Sequence, residues 1–220
     1  MATSTVEDYL KCVYSREERS RGGRVGTGQI AEALGVAPGT VTAMMKALTE
    51  SGLVSYEPYA GVTLTEAGTK LARRVLRRHR LVELFLVEVM GMDWSEVHSE
   101  AEILEHAVSD RLIERIDEML GHPAVDPHGD PIPTEGGAID EARYPSLLEA
   151  PLDAPLRVVR VTDQRTDFLK MLERSGLVPG SRVKLTDRDE LAESVCVLPD
   201  GKPATQLGFR AGSRVEVEPL

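Results

Sequence analysis

The chain has 220 residues, enough for two or three small domains, and it lacks both an apolar run of membrane-spanning length and a secretory start, so we expect a cytoplasmic protein with no membrane partner. Aromatic residues make up only 4% of the chain, which argues against a protein that stacks the bases of single-stranded nucleic acid. The formal net charge is -10, but it is unevenly distributed. Residues 1–90 hold 12 lysines and arginines against 10 acidic residues, whereas the remaining residues are strongly acidic. We therefore expect only the N-terminal part of the chain to contact phosphate.

The first 68 residues predict three short helices followed by a β-hairpin. Apolar residues at helical spacing place the first helix at about residues 4–18, Gly35 ends the second helix, and Pro38 starts the third. Alternating apolar and polar residues on both sides of a turn predict the hairpin. This order is typical of a winged helix-turn-helix, so we expect residues 1–68 to form a DNA-binding domain.

The outer face of the third helix carries small residues, which allow close approach to the major groove. It has no arginine or glutamine for a bidentate base contact, so we expect DNA shape and multiple dimers to supply part of the specificity. Basic loop residues and the wing are expected to contact phosphates. The predicted DNA-contacting residues are Ala37, Gly39, Thr40, Thr42, Ala43, Lys46, Arg21, Arg24 and Tyr59.

Two long helices are predicted over residues 69–92 and 98–121, in a domain that we place at residues 69–133. Their apolar residues are more numerous than a small wing can cover. Helix-turn-helix proteins typically read paired half-sites, so part of this apolar surface is expected to form a homodimer interface. The alternative to a dimer interface is that each of these residues is buried in the core of its own chain.

A proline-rich segment ends the second of these helices, since proline cannot continue it. His122 and His128 lie in this segment, and we expect both to be solvated loop side chains. Residues 134–154, with paired glycines and further prolines, are predicted to be a linker.

The pattern from residue 155 onward is that of β-strands, with one short helix at about residues 166–174. These strands predict a small β-barrel over residues 155–220. The fold class is therefore α+β: an N-terminal winged helix-turn-helix, a helical dimerisation domain and a C-terminal barrel.

Imidazoles and carboxylates share one helical face in the second predicted helix of the middle domain. At offsets of four, seven and eight they fall within an arc of about 80–100°. A second pair, four residues apart, lies in line with apolar residues on the preceding helix. Carboxylates on an inward face are costly to bury without a partner, and a divalent cation suits both residue types. The residues concerned are His98, Glu102, Glu105 and His106, and the pair His79 and Glu83.

Taken in order, these motifs show that the chain resembles the diphtheria toxin repressor family of metal-dependent regulators over essentially its whole length. The matching motifs are Glu-Asp8-Tyr-Leu, Arg-His79-Arg-Leu-Val-Glu83, Val-His98-Ser-Glu-Ala-Glu102-Ile-Leu-Glu105-His106 and Asp126-Pro-His-Gly-Asp-Pro-Ile-Pro133. The resemblance implies an SH3-like C-terminal domain, a homodimer on double-stranded operator DNA, and metal-dependent repression of genes for metal homeostasis.

The resemblance also implies up to two metal ions per subunit. The effector site would use Asp8, Glu102, Glu105 and His106. The ancillary site would use His79, Glu83 and His98. In family members with a third domain that domain can add ligands, and the matching residues here are Asp163 and Gln164.

Two departures from the iron-type pattern indicate which metal the site would prefer. Iron-type members carry a methionine at the position of Asp8 and a cysteine at that of Glu102. Carboxylates in place of both sulfurs make the site harder, which favours Mn²⁺ or Fe²⁺ over Zn²⁺ or Cu²⁺. Lys11 stands where the manganese branch usually adds a glutamate. We expect manganese first and iron next.

Two other functions stay open at this point. Histidine and glutamate on helices also build hydrolytic metal sites, but the chain has no His-Glu-x-x-His motif, so we expect that it is not an enzyme. A winged-helix regulator that responds to an organic ligand is the second alternative.

Overall fold

The computed structural model describes residues 3–20, 23–140 and 142–220. It separates into two compact units, which we describe one at a time: Met1–Arg78 with Pro133–Ala138, and His79–Ile132 with Ile139–Leu220. No helix in the described ranges is both long enough and apolar enough to span a bilayer.

Three helices and a two-stranded sheet form the N-terminal unit. In chain order they are α1 (Ser4–Arg19), α2 (Thr27–Leu34), α3 (Pro38–Glu50), β1 (Val54–Glu57) and β2 (Gly61–Leu64). Gly35 adopts the left-handed conformation, at φ 64°, and so ends α2, while Pro38 is the first residue of α3. The two strands pair antiparallel. The predicted winged helix-turn-helix is confirmed.

The core of this unit is formed by the apolar faces of its helices. Leu10, Ile30 and Met45 are fully buried, one from each of α1, α2 and α3. The wing is attached to α1 by a polar contact, because the Glu17 carboxylate accepts a 2.9 Å hydrogen bond from the backbone N–H of Leu64. Helices and wing therefore share one compact unit, in which the apolar side of α3 is packed and its outer face is left exposed.

Gly68 gives a first testable prediction. It lies in the first turn of α4 (Glu66–Glu88), and a Cβ at this position would overlap the carbonyl oxygen of Leu53. We expect Gly68→Ala to lower the free energy of unfolding by about 1–3 kcal/mol, since overpacking outweighs the better helix propensity of alanine. Urea unfolding followed by circular dichroism measures the change.

Gly28 in α2 is the matched control, because a Cβ there meets nothing within 4 Å. Gly28→Ala is expected to stabilise the chain by about 0.5 kcal/mol through the smaller backbone entropy of alanine. Equal stability of the two variants would contradict the steric argument.

The helical part of the second unit contains the end of α4, then α5 (Val97–Leu104) and α6 (Asp110–Met119). The prediction of one continuous helix over residues 98–121 is wrong. The Ser109 hydroxyl accepts a 3.3 Å hydrogen bond from the N–H of Leu112 and so begins a new helix. Glu105 keeps helical backbone angles, φ -55° and ψ -31°, so it stays near the face that α5 defines.

These three helices pack around a shared apolar cluster. Its buried members are Leu81, Val82, Leu86, Val97, Ala101, Ile113, Ile116 and Ile132. Other large apolar side chains of the same helices and of the turn that follows α4 stay exposed, namely Val89, Met90, Ile103, Leu112 and Met119. An exposed apolar surface of this kind is typical of a protein interface.

The C-terminal part of the second unit is a five-stranded antiparallel sheet with two helices. The elements are β3 (Pro155–Val161), α7 (Thr166–Ser175), β4 (Arg182–Asp189), β5 (Ser194–Pro199), β6 (Thr205–Gly208), α8 (Phe209–Gly212) and β7 (Val215–Pro219). The strand order is β6-β5-β4-β3-β7. Pairing between β6 and β7 is absent among the described residues, so the sheet is open and not the closed barrel that we predicted. The short β6, four residues long, leads directly into α8, and neither element was predicted.

The core of this sheet extends into the segment that precedes it. Leu147 and Ala150, from the region predicted to be a linker, are buried together with Leu156, Val158 and other residues of β3 to β7. The residues just before β3 therefore cover one side of the sheet.

Candidate metal centre

The predicted ligands of the second unit come from three consecutive stretches of chain. The helix α4 supplies His79 and Glu83, one turn apart. The helix α5 supplies His98 and Glu102, and the turn after α5 supplies Glu105 and His106. Because α4 and α5 share one apolar cluster, their polar faces meet beside it.

Glu83 and two imidazoles form the first group. One oxygen of the Glu83 carboxylate, Oε1, lies 3.0 Å from His79 Nε2 and 3.0 Å from His98 Nδ1. The two rings meet edge to face, with centroids 4.9 Å apart. Glu83 is fully buried, whereas the side chain of His98 is 45% exposed. The group thus reaches from the protein interior to solvent.

Glu105 brings His79 into a second group. Its Oε2 atom lies 2.6 Å from His79 Nδ1, and its Oε1 atom lies 3.3 Å from His106 Nε2. Glu102 is more distant, at 3.9 Å from the same nitrogen of His79. Both ring nitrogens of His79 therefore face carboxylates, one in each group.

A third group, absent from the sequence-based prediction, is completely enclosed. Glu83, Asp126 and His128 each offer one ligand atom, and these atoms lie within 4.8 Å of one another. His128 Nδ1 is 3.8 Å from Glu83 Oε2, the oxygen that the first group does not use. Glu83 thus belongs to two groups at once, one through each oxygen.

The polar atoms of this third group fit a cation. Glu83 Oε2, Asp126 Oδ2 and His128 Nδ1 are buried and have no hydrogen-bond partner among the described residues. His128 Nε2 donates a hydrogen bond to the carbonyl oxygen of Trp94 at 2.9 Å, so in the neutral ring Nδ1 carries the lone pair. Three buried lone-pair donors facing one another are costly unless a cation or a proton lies between them.

The two buried carboxylates of this group have opposite pKa shifts. Burial works against ionisation of Glu83, but the charge and hydrogen bonds of His79 outweigh it and hold the pKa of Glu83 below its ordinary value. Burial raises the pKa of Asp126 well above its ordinary value, and the nearby charge of Asp130 raises it further. The Arg80 guanidinium, whose Nε lies 3.7 Å from Asp126 Oδ2, offsets only part of this effect, so the group still favours a further cation or a proton beside Asp126.

Other predicted ligands have protein partners or lie in the other unit. The Asp163 carboxylate pairs with Arg165 at 2.8 Å, and Gln164 Nε2 donates a 2.9 Å hydrogen bond to Asp130. Asp8 lies on α1 in the N-terminal unit, where it is half-buried. All three stay predictions as metal ligands.

The expectation for the loop histidines is wrong for one of the two. His122 is exposed and pairs with Asp117 at 2.7 Å, whereas His128 is fully buried. The reason is the shape of the segment: Asp126 folds it into a tight turn by accepting hydrogen bonds from the N–H groups of His128 and Asp130. Two aspartates around Pro-His-Gly were the sequence signal for a structured loop.

The predicted DNA-binding face of α3 is exposed. Val41, Met45 and Leu48 are buried on the opposite side. The exposed predicted residues are Ala37, Gly39, Thr40, Ala43 and Lys46, whereas Thr42 is half-buried. The Thr42 hydroxyl donates to the carbonyl oxygen of Pro38 at 3.1 Å.

The predicted phosphate contacts of the loop and wing are only partly described. Arg24 forms a 2.9 Å ion pair with Glu57, which holds this loop against the wing. Tyr59 is fully exposed at the wing turn, with φ 65°. Arg21 lies outside the described residues.

Three stretches of the chain match known protein families. Residues 1–62 match the family described as "Iron dependent repressor, N-terminal DNA binding domain". Residues 65–134 match "Iron dependent repressor, metal binding and dimerisation domain". Residues 146–219 match the FeoA domain. Together these families cover most of the chain.

Curated relatives include iron and manganese regulators. The iron-dependent repressor IdeR of Mycobacterium tuberculosis (strain ATCC 25618 / H37Rv) is 35% identical over 192 residues, which cover 81% of this chain and 82% of the relative. The HTH-type transcriptional regulator MntR of Bacillus subtilis (strain 168) is 37% identical over 120 residues, covering 54% of this chain and 82% of the relative.

Solved structures show the same fold over nearly the full length. A manganese-dependent transcriptional repressor in complex with manganese aligns with a TM-score of 0.88 at 37% identity, covering 98% of this chain and 100% of that one. ScaR with bound Zn²⁺ aligns with a TM-score of 0.81 at 36% identity, covering 98% and 99% of the two chains.

Proposed function

The chain belongs to the iron-dependent repressor family of metal-dependent, DNA-binding transcriptional repressors, and we propose that it binds operator DNA as a homodimer when loaded with Mn²⁺ or Fe²⁺. We further propose that the genes it represses serve metal homeostasis. The observation that carries the proposal is the set of clustered imidazoles and carboxylates around Glu83, with three buried atoms that lack hydrogen-bond partners among the described residues.

The donor atoms support the choice of metal. Every clustered group in the described residues of the second unit offers nitrogen or oxygen, and none offers sulfur. Such donor sets suit Mn²⁺ and Fe²⁺, whereas thiolates would favour Zn²⁺ or Cu⁺. We propose Mn²⁺ as the first choice and Fe²⁺ as the second. Relatives that carry either metal in their names are consistent with both.

Two sets of ligands are proposed, in keeping with up to two ions per subunit. The effector set is Asp8, Glu102, Glu105 and His106. The ancillary set is His79, Glu83 and His98, which we extend to Asp126 and His128 through the second oxygen of Glu83. When bound, a divalent cation supplies the positive charge that these carboxylates lack. The nitrogen of His79 proposed to bind the ancillary ion is Nε2, which lies beside Glu83, and its Nδ1–H would then orient Glu105 of the effector set.

Asp8 provides the proposed link between metal and DNA binding. It belongs to the helix that starts the DNA-binding head, whereas the other effector ligands belong to the second unit. A ligand set drawn from both would favour one arrangement of the head over others, which is a shift of population. This step rests on the sequence motif and on the family.

DNA and dimer contacts are proposed from exposed surfaces. The outer face of α3 is proposed to enter the major groove, with Lys46, Arg24 and Tyr59 at phosphates. The exposed apolar residues on α5 and α6, with those of the turn that follows α4, are proposed to form the homodimer contact.

Metal-dependent footprinting tests the proposal. The probe is double-stranded DNA selected from a random pool by the Mn²⁺-loaded full-length protein. We expect full protection with Mn²⁺ or anaerobic Fe²⁺ and weaker protection with Zn²⁺ at matched free concentration, because zinc prefers four-coordinate sites. Chelation should abolish protection, and added Mn²⁺ should restore it. Protection of equal strength in chelator would refute metal-dependent repression.

A further inference from the structure

We propose that Arg160, on β3 of the C-terminal sheet, is a positioning residue that sets the metal affinity of the ancillary site. It acts through the five residues Asp126–Asp130, which we call the ligand loop. The inference rests on the proposed function, because it assigns Asp126 and His128 to that site. The inference gives the C-terminal part of the chain a role in metal binding in which that part supplies no metal ligand.

The Asp126 carboxylate both folds the ligand loop and offers an oxygen to the ancillary site. Asp126 Oδ1 accepts hydrogen bonds from the N–H of His128 at 2.8 Å and of Asp130 at 2.9 Å. The Asp126 N–H in turn donates to the Asp130 carbonyl oxygen at 2.9 Å. Oδ2, which Arg80 Nε faces at 3.7 Å, is the oxygen that remains for a ligand, so any change in the shape of the loop also reorients it.

β3 fixes the backbone of the ligand loop. The Val161 N–H donates a 2.9 Å hydrogen bond to the carbonyl oxygen of His128. Gly129, at φ +84°, passes so close to the carbonyl oxygen of Val159 that no side chain would fit. The residue between these two contacts on β3 is Arg160.

The Arg160 side chain neutralises the end of the loop. Its guanidinium donates through Nε and forms an ion pair with Oδ1 of Asp130, a residue only 7% exposed. Gln164 binds the other oxygen of Asp130 at 2.9 Å. Arg80 of α4 is the second cation near the carboxylate, at 3.7 Å. Asp130 is therefore held from both α4 and the C-terminal sheet.

Loss of Arg160 leaves Asp130 with one distant cation in a buried environment that already contains Asp126 and Glu83. Like charges repel, and an incompletely paired buried carboxylate moves toward solvent. Movement of Asp130 pulls on the hydrogen bond that it donates to Asp126, and the geometry of the metal ligands is lost. Removal of a residue that orients a ligand typically costs 10- to 100-fold in metal affinity.

The same strand offers a matched control. Arg157 lies three residues earlier on β3 and pairs with Glu218 at 2.8 Å on the exposed side of the sheet. Arg157→Ala removes an arginine and an ion pair from the same strand without touching the ligand loop.

The experiment titrates metal-free full-length protein with Mn²⁺, by calorimetry and by electron paramagnetic resonance of free Mn²⁺. Arg160→Ala is expected to weaken the ancillary site about 10- to 100-fold. Arg160→Lys should recover part of that loss, and Arg157→Ala should match the unmodified chain. Thermal melting of each metal-free variant reports whether it is folded.

The outcomes that overturn this inference differ from the outcome that overturns the proposed site. If Arg160→Ala is folded and titrates like the unmodified chain, Arg160 does not position the ligands and the inference is wrong. The Arg160→Lys variant decides the case if Arg160→Ala does not fold: unchanged titration of Arg160→Lys overturns the inference. If instead Glu83→Gln takes up as much Mn²⁺ as the unmodified chain, the ancillary site itself is wrongly assigned.

Discussion

Glu83→Gln is expected to abolish Mn²⁺ binding at the ancillary site, with a loss of affinity of at least about 100-fold. Glutamine keeps the size of the side chain but removes its charge and one acceptor oxygen. Glu83 is the residue that joins the His79–His98 pair to Asp126 and His128, one oxygen to each, so a single substitution disrupts both groups. Calorimetric titration of the metal-free chain measures the loss directly.

Glu88→Gln is the control for this substitution, since Glu88 is an exposed acid on the same helix. It should titrate like the unmodified chain. The metal-free Glu83→Gln variant is expected to be less stable by about 1–3 kcal/mol, because two imidazoles lose a charged acceptor. A Glu83→Gln chain that binds the full number of ions with unchanged affinity would rule out the central position of this residue.

Asp8→Ala is expected to remove the stimulation of DNA binding by metal, which we place at about 5- to 150-fold for the unmodified chain. Asp8 is the proposed effector ligand that belongs to the DNA-binding head, so its loss separates metal uptake from the orientation of α3. Binding to DNA selected with the unmodified protein, measured by mobility shift over a range of Mn²⁺ concentrations, tests this.

The dimer should survive this change, because the apolar surface proposed for subunit contact lies on other helices. Light scattering after gel filtration checks the mass. Glu18→Ala, an exposed acid on the same helix, is expected to retain the full response to metal. Retention of the full response by Asp8→Ala would disprove the coupling through α1.

Helical periodicity was enough to predict most of the candidate site. The four-residue spacing of His79 and Glu83 places both on one side of α4, and His98 follows on a helix of the same apolar cluster. The short-range signals of the head were equally direct: a glycine with positive φ ends α2, and a proline begins α3. Each of these features is decided by residues within one or two turns.

One feature that sequence reasoning missed depends on contacts distant in the chain, and two others had weak local signals. The burial of His128 requires the carbonyl of Trp94 and the backbone of β3, which lie more than thirty residues away in opposite directions. The break after α5 was signalled by Ser109, a good N-cap, but continuous apolar spacing obscured it. The strand β6 was missed because its four residues carry little alternation.

The full burial of Glu83 and His128 also affects timing. An ion held at Glu83 Oε2, Asp126 and His128 would leave only when neighbouring side chains separate for a moment, so its exit would be governed by local opening of the protein. Loss of an ion from this enclosed group would therefore lag behind a fall in the surrounding supply, whereas the effector set would empty at its own rate.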